Sequence, residues 1–427
     1  MKTPLLKFQD FLLEKWNNKF PTLVLEGGAA GHMMHPFDDD TLTFGEIKHI
    51  VDAALQGRLN FEEAPTEKTD GQNLFVTMKG GQVLFARNKG QMKTPIDLAT
   101  ITQMFQDHPS PAVKDTFTFA AKDLTSALQH LSKKDQAEFN EGKSFMNMEL
   151  IYSGNANVIS YEKDVIQFHG MIHTDGEGNQ TGADSKLASQ IANAIKGVNK
   201  DIQSVFQIIP PQELQIGKAI DFEEKKGYFM KKVADLQNRY HLQDTDPVSK
   251  YHSMWWKELI DKDFKNLDEI DKAGLVQRWA FDDKKTLNIR DLAKKMSDAE
   301  YKEFQRFDKE DAKKKFKENI EPFENIFLEL GSVVLKNVSN LLVANPDKEM
   351  QRLHTQIKTE ADKIKQNGDL SQLAKVEKEL QRLDRIGGIQ SIVPSEGLVF
   401  QYKGKLFKLT GTFAAINQLM GIIKYGR

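Results

Sequence analysis

The chain has 427 residues, too many for one ordinary hydrophobic core, which predicts two or three domains. Charged residues make up 28% and apolar residues 39%, with 59 Lys+Arg against 61 Asp+Glu, so a global basic footprint is excluded and any nucleic-acid surface is a local patch. The absence of cysteine excludes disulfides, thiol nucleophiles and cysteine-ligated zinc, and fits a reducing cytoplasm.

Residues 1–63 read as mostly helical. The opening "MKTPLLKFQDFLLEKW" alternates apolar and charged residues without a signal-peptide core, and no run in the chain approaches membrane-spanning length, so a cytoplasmic protein without a membrane partner is expected. In "LTFGEIKHIVDAALQGRL", Ile47, Ile50, Val51, Ala54 and Leu55 share one helical face, with Gly57 near its end.

From Glu67 the texture changes to short strands and glycine turns. "NLFVTMKGGQVLFARNKG" predicts a hairpin through Gly80-Gly81, and "SFMNMELIYSGNANVISY" and "DVIQFHGMIHTDGEGN" predict further strands. Residues 96–138 between them read as helical, and a helix at 183–198 and a strand at 202–209 follow.

Residues 210–390 read as charged amphipathic helix. Leu373, Val376, Leu380, Leu383 and Ile386 keep heptad-like spacing, for which packing within the chain is expected. Residues 221–390 hold 33 Lys+Arg and 33 Asp+Glu, so their charges read as a solvated face, with "KKKFK" at Lys313–Lys317 as a local exception. Residues 391–427 return to strand in "EGLVFQYKGKLFKLTG" and close with the short amphipathic helix "FAAINQLMGIIKYG".

Chemistry enters with "TEKTDGQNLF". Taken alone, its Lys-x-Asp-Gly is a turn signal, since Asp-Gly favours type I′ hairpins. It is followed in order by "LFARNKG" with Arg87, "NMELIY" with Glu149, "VIQFHG" with Phe168, "SEGLVF" with Glu396 and "LFKLTG" with Lys408. Phe168 alone reads as core, but Glu149, between Met148 and Leu150 on a strand, has little structural reason to be there, because a buried carboxylate costs stability unless paired.

In order and context these motifs resemble those of the covalent nucleotidyltransferases, the ATP-dependent DNA and RNA ligases and capping enzymes, over about residues 64–210 and 392–412. Glu67, Asn73 and "ELIYSG" make it most similar to the phage RNA-repair and trypanosome RNA-editing ligases. The resemblance implies an α+β fold: an antiparallel-sheet adenylylation domain in two parts, residues 64–209 and 391–427, around a helical insertion at 210–390. It implies ATP and Mg2+ as cofactors, RNA or DNA ends as partners, and action as a monomer.

In that reading Lys68 attacks the α-phosphorus of ATP, and a lysine amine is a nucleophile only when neutral, so cations and partial desolvation must favour its neutral form. The resemblance implies that Lys408 steadies the phosphoryl charge, Glu149 holds the ribose or orients the reacting hydroxyl, and Glu396 binds the metal. Phe168 would stack on adenine, Arg87 would hold a phosphate, Asn73 would position the nucleic-acid end, and Glu67, Asp70 and Gly71 would complete the nucleotide site.

The chain departs from the pattern in three places. Many members end in Lys-x-Lys, whereas Lys408-Leu409-Thr410 stands here, so either one cation is missing or Lys405 or Lys403 substitutes for it. The 228 positions from Phe168 to Glu396 exceed what a compact core requires, and the 17 residues after Thr410 are too few for a C-terminal clamp, a task the insertion would take over. A DNA nick-sealing ligase, a non-ligase nucleotidyltransferase and an inactive binding module are the alternatives.

Other signals carry less. His32 with His35 and His169 with His173 lack a third metal ligand and read as satisfied structural histidines; Asp38–Asp40 read as an acidic loop before a helix; GxGxxG and phosphate-loop patterns are absent.

Overall fold

Gly80 and Gly81, with φ of 56° and 79°, close a two-residue turn that only left-handed residues accommodate, and the flanking residues pair as the expected hairpin. Its strands are β2 (Gln72–Lys79) and β3 (Gln82–Ala86); β1 (Thr66–Lys68) precedes them. After the helices Leu98–Gln106 and Pro111–Gln129 come β4 (Ser144–Ile151), β5 (Val165–Thr174), β6 (Gln180–Asp184), the helix Ser185–Val198 and β7 (Gln207–Ile209). The last strands are β8 (Gly397–Tyr402) and β9 (Lys405–Thr410).

This computed structural model describes residues 34–155, 159, 161, 163–198, 205–283, 286–343, 346–367, 374, 376, 377, 380, 381, 393–413, 416, 419 and 420. The helical reading of residues 1–33, His32, residues 202–204 of the expected strand, the heptad positions Leu373, Leu383 and Ile386, and much of the closing helix lie outside them. The architecture is mixed α+β, as expected, and its sheets are antiparallel except where β7 joins β5. No described helix is long and apolar enough to cross a membrane.

The chain divides into two compact units. One comprises residues 1–34, 59–216 and 338–427; the other comprises 35–58 and 217–337. These limits differ from the sequence-based ones: residues 35–58 of the expected N-terminal segment fall in the second unit, and residues 210–216 and 338–390 of the expected insertion fall in the first.

The first unit holds both sheets. The larger runs β3-β2-β4-β5-β6, and the smaller runs β1-β8-β9. One face of the larger sheet presents Leu74, Val76, Met146, Met148, Ile166, Phe168 and Met171 to Phe117, Leu124, Ile191 and Ile195 of the helices Pro111–Gln129 and Ser185–Val198. A second core joins Leu353 and Ile357 of the helix Pro346–Asn367 to Val376, Phe413, Ile416 and Leu419. Apolar burial at about 25 cal/mol per Å2 is what holds these layers.

In the second unit the helix Phe44–Leu55 buries Ile47, Ile50, Val51, Ala54 and Leu55, the face its periodicity predicts. Thr43 caps it, and a bridge between Thr43 and Pro247 ties the segment to residues two hundred positions later. Trp256, Trp279, Phe304 and Phe307 form an aromatic core. The balanced charge is organised into pairs such as Lys232–Glu329 at 2.6 Å and Arg278–Asp308 at 2.7 Å.

Candidate active site

Strand alternation sorts the motifs by face. On β4 the apolar core takes Met146, Met148 and Leu150, so Asn147 and Glu149 point to the opposite face. Register places Asn73 of β2 and Gln167 of β5 beside Glu149 on that face. In the smaller sheet Lys68 pairs with Gly397, which pairs with Thr410, while Thr66 pairs with Val399 and Val399 with Lys408. Two-residue spacing along each strand therefore puts Lys68, Thr410 and Lys408 on one face.

Lys68 Nζ lies 2.5 Å from Glu396 Oε1, and both side chains are largely buried. Asp70 is fixed from two sides: its N–H donates to Tyr161 Oη at 3.1 Å, and its Oδ2 accepts from the Ile159 N–H at 2.8 Å. The backbone runs tightly against β4 here, since a Cβ on Gly71 would stand 2.7 Å from the Leu150 carbonyl oxygen and 3.1 Å from Glu149 Oε2. Asn73 Nδ2 donates to Asn147 Oδ1 at 2.8 Å.

Burial pushes the Glu149 carboxyl up to about 8; Lys68 opposes the rise, Glu396 and Asp70 add to it, and Arg87 opposes it again. These charges act on one another and so share one site. Glu149 is 7% exposed and its Oε2 has no hydrogen-bond partner, a loss of about 1–3 kcal/mol for a buried polar atom.

Four expected contacts are placed differently. Phe168 pairs with Met148 across the sheet and is fully buried in the apolar core, so it does not face Lys68 and is not positioned to stack on a nucleotide. Glu67 points away from Lys68 because neighbours on a strand alternate; its Oε2 accepts from the Leu342 N–H at 2.6 Å, and burial raises it to about 7. Lys405 is three positions from Lys408 and so occupies the other face of β9. Arg87 packs its guanidinium over the Phe117 ring at 4.3 Å, so it acts on Glu149 through charge; burial, against Glu149, lowers its pKa.

Sequence reasoning missed Tyr161, Gln167 and His169. Tyr161 holds the Asp70 backbone, and burial pushes its hydroxyl well up, with Glu67, Asp70 and Glu396 adding to the rise. His169 is not the satisfied structural histidine expected, since neither ring nitrogen has a hydrogen-bond partner. The periodicity of β5 puts Gln167 opposite Phe168, a signal that could have found it.

No protein-family model, curated protein or solved structure matches the chain significantly. The site therefore has to be read from its own chemistry.

Among the described residues no three His, Cys, Asp or Glu side chains are grouped to hold a metal ion. A magnesium ion bound mainly by phosphates needs only one or two carboxylates; Glu396, whose Oε1 pairs with Lys68, is the carboxylate that would serve. The arrangement as a whole brings together the Lys68–Glu396 pair, Asp70, a carboxyl that burial raises to about 8 and, on the same sheet face as Lys68, a second lysine.

Proposed function

We propose that the chain is an ATP-dependent polynucleotide ligase acting on RNA ends, with Lys68 as the residue that accepts AMP. The observation that carries this reading is the convergence of Lys68 and Asp70, Glu149 and Glu396 from three distant segments into one buried site whose charges act on one another. Lys408 shares the sheet face of Lys68, as a phosphate-steadying cation requires.

The ammonium in the Lys68–Glu396 pair has no lone pair, so that pair opens and the amine gives a proton to water before it attacks. The N–P bond to the α-phosphorus then forms as the bond from phosphorus to the bridging oxygen breaks, and pyrophosphate leaves with that electron pair. Glu149, whose carboxyl burial raises to about 8, would donate a hydrogen bond to a ribose hydroxyl in its protonated form. Magnesium held by Glu396 and the phosphates would neutralise phosphate charge. A 5′-phosphate then displaces the lysine from AMP, and a 3′-hydroxyl displaces AMP to seal the strand.

Intact-mass spectrometry after incubation with ATP and Mg2+ tests the first step: wild type gains one AMP and Lys68→Ala gains none. No adduct on wild type, or one that persists in Lys68→Ala, overturns the reading. Labelled broken RNA and nicked DNA then separate RNA sealing from the DNA alternative.

A further inference from the structure

The pairing of β4 with β5 contains a bulge: Asn147 pairs with Gly170 and Met148 with Phe168, leaving His169 as the extra residue. The extra residue lets His169 and Gly170 both lie on the face carrying Asn147, Gln167 and Glu149, while Phe168 and Met171 stay in the apolar core. Gly170 makes room for the opposing sheet, since a Cβ there would stand 3.2 Å from Leu406 Cδ1 of β9.

The imidazole so placed is 1% exposed and neither nitrogen has a partner. Burial lowers its pKa to about 3, and the Lys68 charge acts in the same direction, so the neutral ring lies within electrostatic reach of the amine. A fold seeking only stability would fill this position with an apolar side chain, because an unsatisfied buried donor and acceptor cost stability.

Resting on the reading of Lys68 as the AMP acceptor, we propose that His169 contacts the nucleotide phosphate, its ring N–H donating to a non-bridging oxygen of the phosphate that Lys68 attacks. Stacking of the ring face on a base would leave both nitrogens unpaired; an edge contact to phosphate satisfies the donor. A neutral imidazole can make it, so the ring need not titrate on binding.

The test compares wild type, His169→Leu and His169→Gln in adduct formation with ATP and Mg2+, in calorimetric binding of ATP and of adenosine, and in thermal unfolding. His169→Leu is expected to unfold at or above the wild-type temperature while forming the adduct about 10- to 100-fold more slowly, the range for one hydrogen bond to a charged group. His169→Gln, which keeps an N–H, recovers most of the rate, and adenosine binding is unchanged in both variants. If wild type forms the adduct and His169→Leu matches its rate, this assignment falls and the ligase reading stands. Equal losses for adenosine and ATP, or a fall in unfolding temperature that Leu and Gln share, also overturn it. A wild type that neither binds ATP nor forms the adduct overturns both readings.

Discussion

Glu67 precedes the proposed nucleophile, yet its carboxyl lies on the far face of β1, where it accepts from the Leu342 N–H. Burial lifts it from 4.5 to about 7, so the folded chain holds this proton more tightly than the unfolded chain between those values. Its contribution to stability is therefore complete below 4.5 and is lost as pH rises through about 7. Glu67→Gln resembles the protonated form at every pH. Denaturant unfolding should give similar stabilities for the two proteins at about pH 4.5, with wild type losing on the order of 3 kcal/mol relative to the variant by about pH 9. A gap that does not change with pH would show that the proton is not held there. Such a readout concerns folding and leaves the chemistry of Lys68 aside.

At the scale of a strand, β9 separates its two lysines. Lys408 lies on the face that Lys68 shares, and Lys405 lies on the other, so Lys408→Ala should slow adduct formation by about 100- to 1000-fold while Lys405→Ala leaves it within a few-fold of wild type. The reverse order, measured by quenched-flow and mass spectrometry, would show that β9 pairs in another register. The same kind of reasoning explains what could be read from sequence. The Gly80-Gly81 hairpin and the helix Phe44–Leu55 were legible because their signals are local: two glycines at positive φ and one apolar stripe. Glu149 was legible because a carboxylate between Met148 and Leu150 has no packing role. The placing of His169, and not Phe168, on the face of Glu149 was not, because the bulge exists only in the pairing of β4 with β5. Nor was the assignment of residues 35–58, whose partner at Pro247 lies beyond any sequence window. The family resemblance brought Lys68, Glu149 and Glu396 into view, and the faces of the strands then decided among their neighbours.

At the scale of the whole molecule, the helical unit carries many charges that already have partners. Even in the lysine run at the start of the helix Ala312–Leu335, Lys315 bonds Glu318 at 2.7 Å and Lys314 lies 3.7 Å from Asp311. If this run binds strands, neutralising Lys313, Lys314, Lys315 and Lys317 should weaken binding and flatten its salt dependence. The change in slope should be less than the ~0.7 per lysine expected of free cations on a single strand, because the acidic partners already compensate part of the charge. Adduct formation on Lys68 should not change. An unchanged salt slope would remove the run from the strand-binding surface, and loss of the adduct would show that the unit supports the first chemical step.

The pairing of Thr66–Lys68 with residues 397–399 sets a schedule for biosynthesis. On one side β1 meets Glu213 early, but its other edge waits for β8, and the companion lysine arrives only with β9. Closing so long a loop is slow, and β pairing between distant segments is the slow class of folding event. A ribosome stalled before residue 396 would thus carry a lysine with neither Glu396 nor Lys408, and its nascent chain would be unable to assemble the proposed reactive site. Translation itself would keep the proposed nucleophile unarmed until β9 has been made.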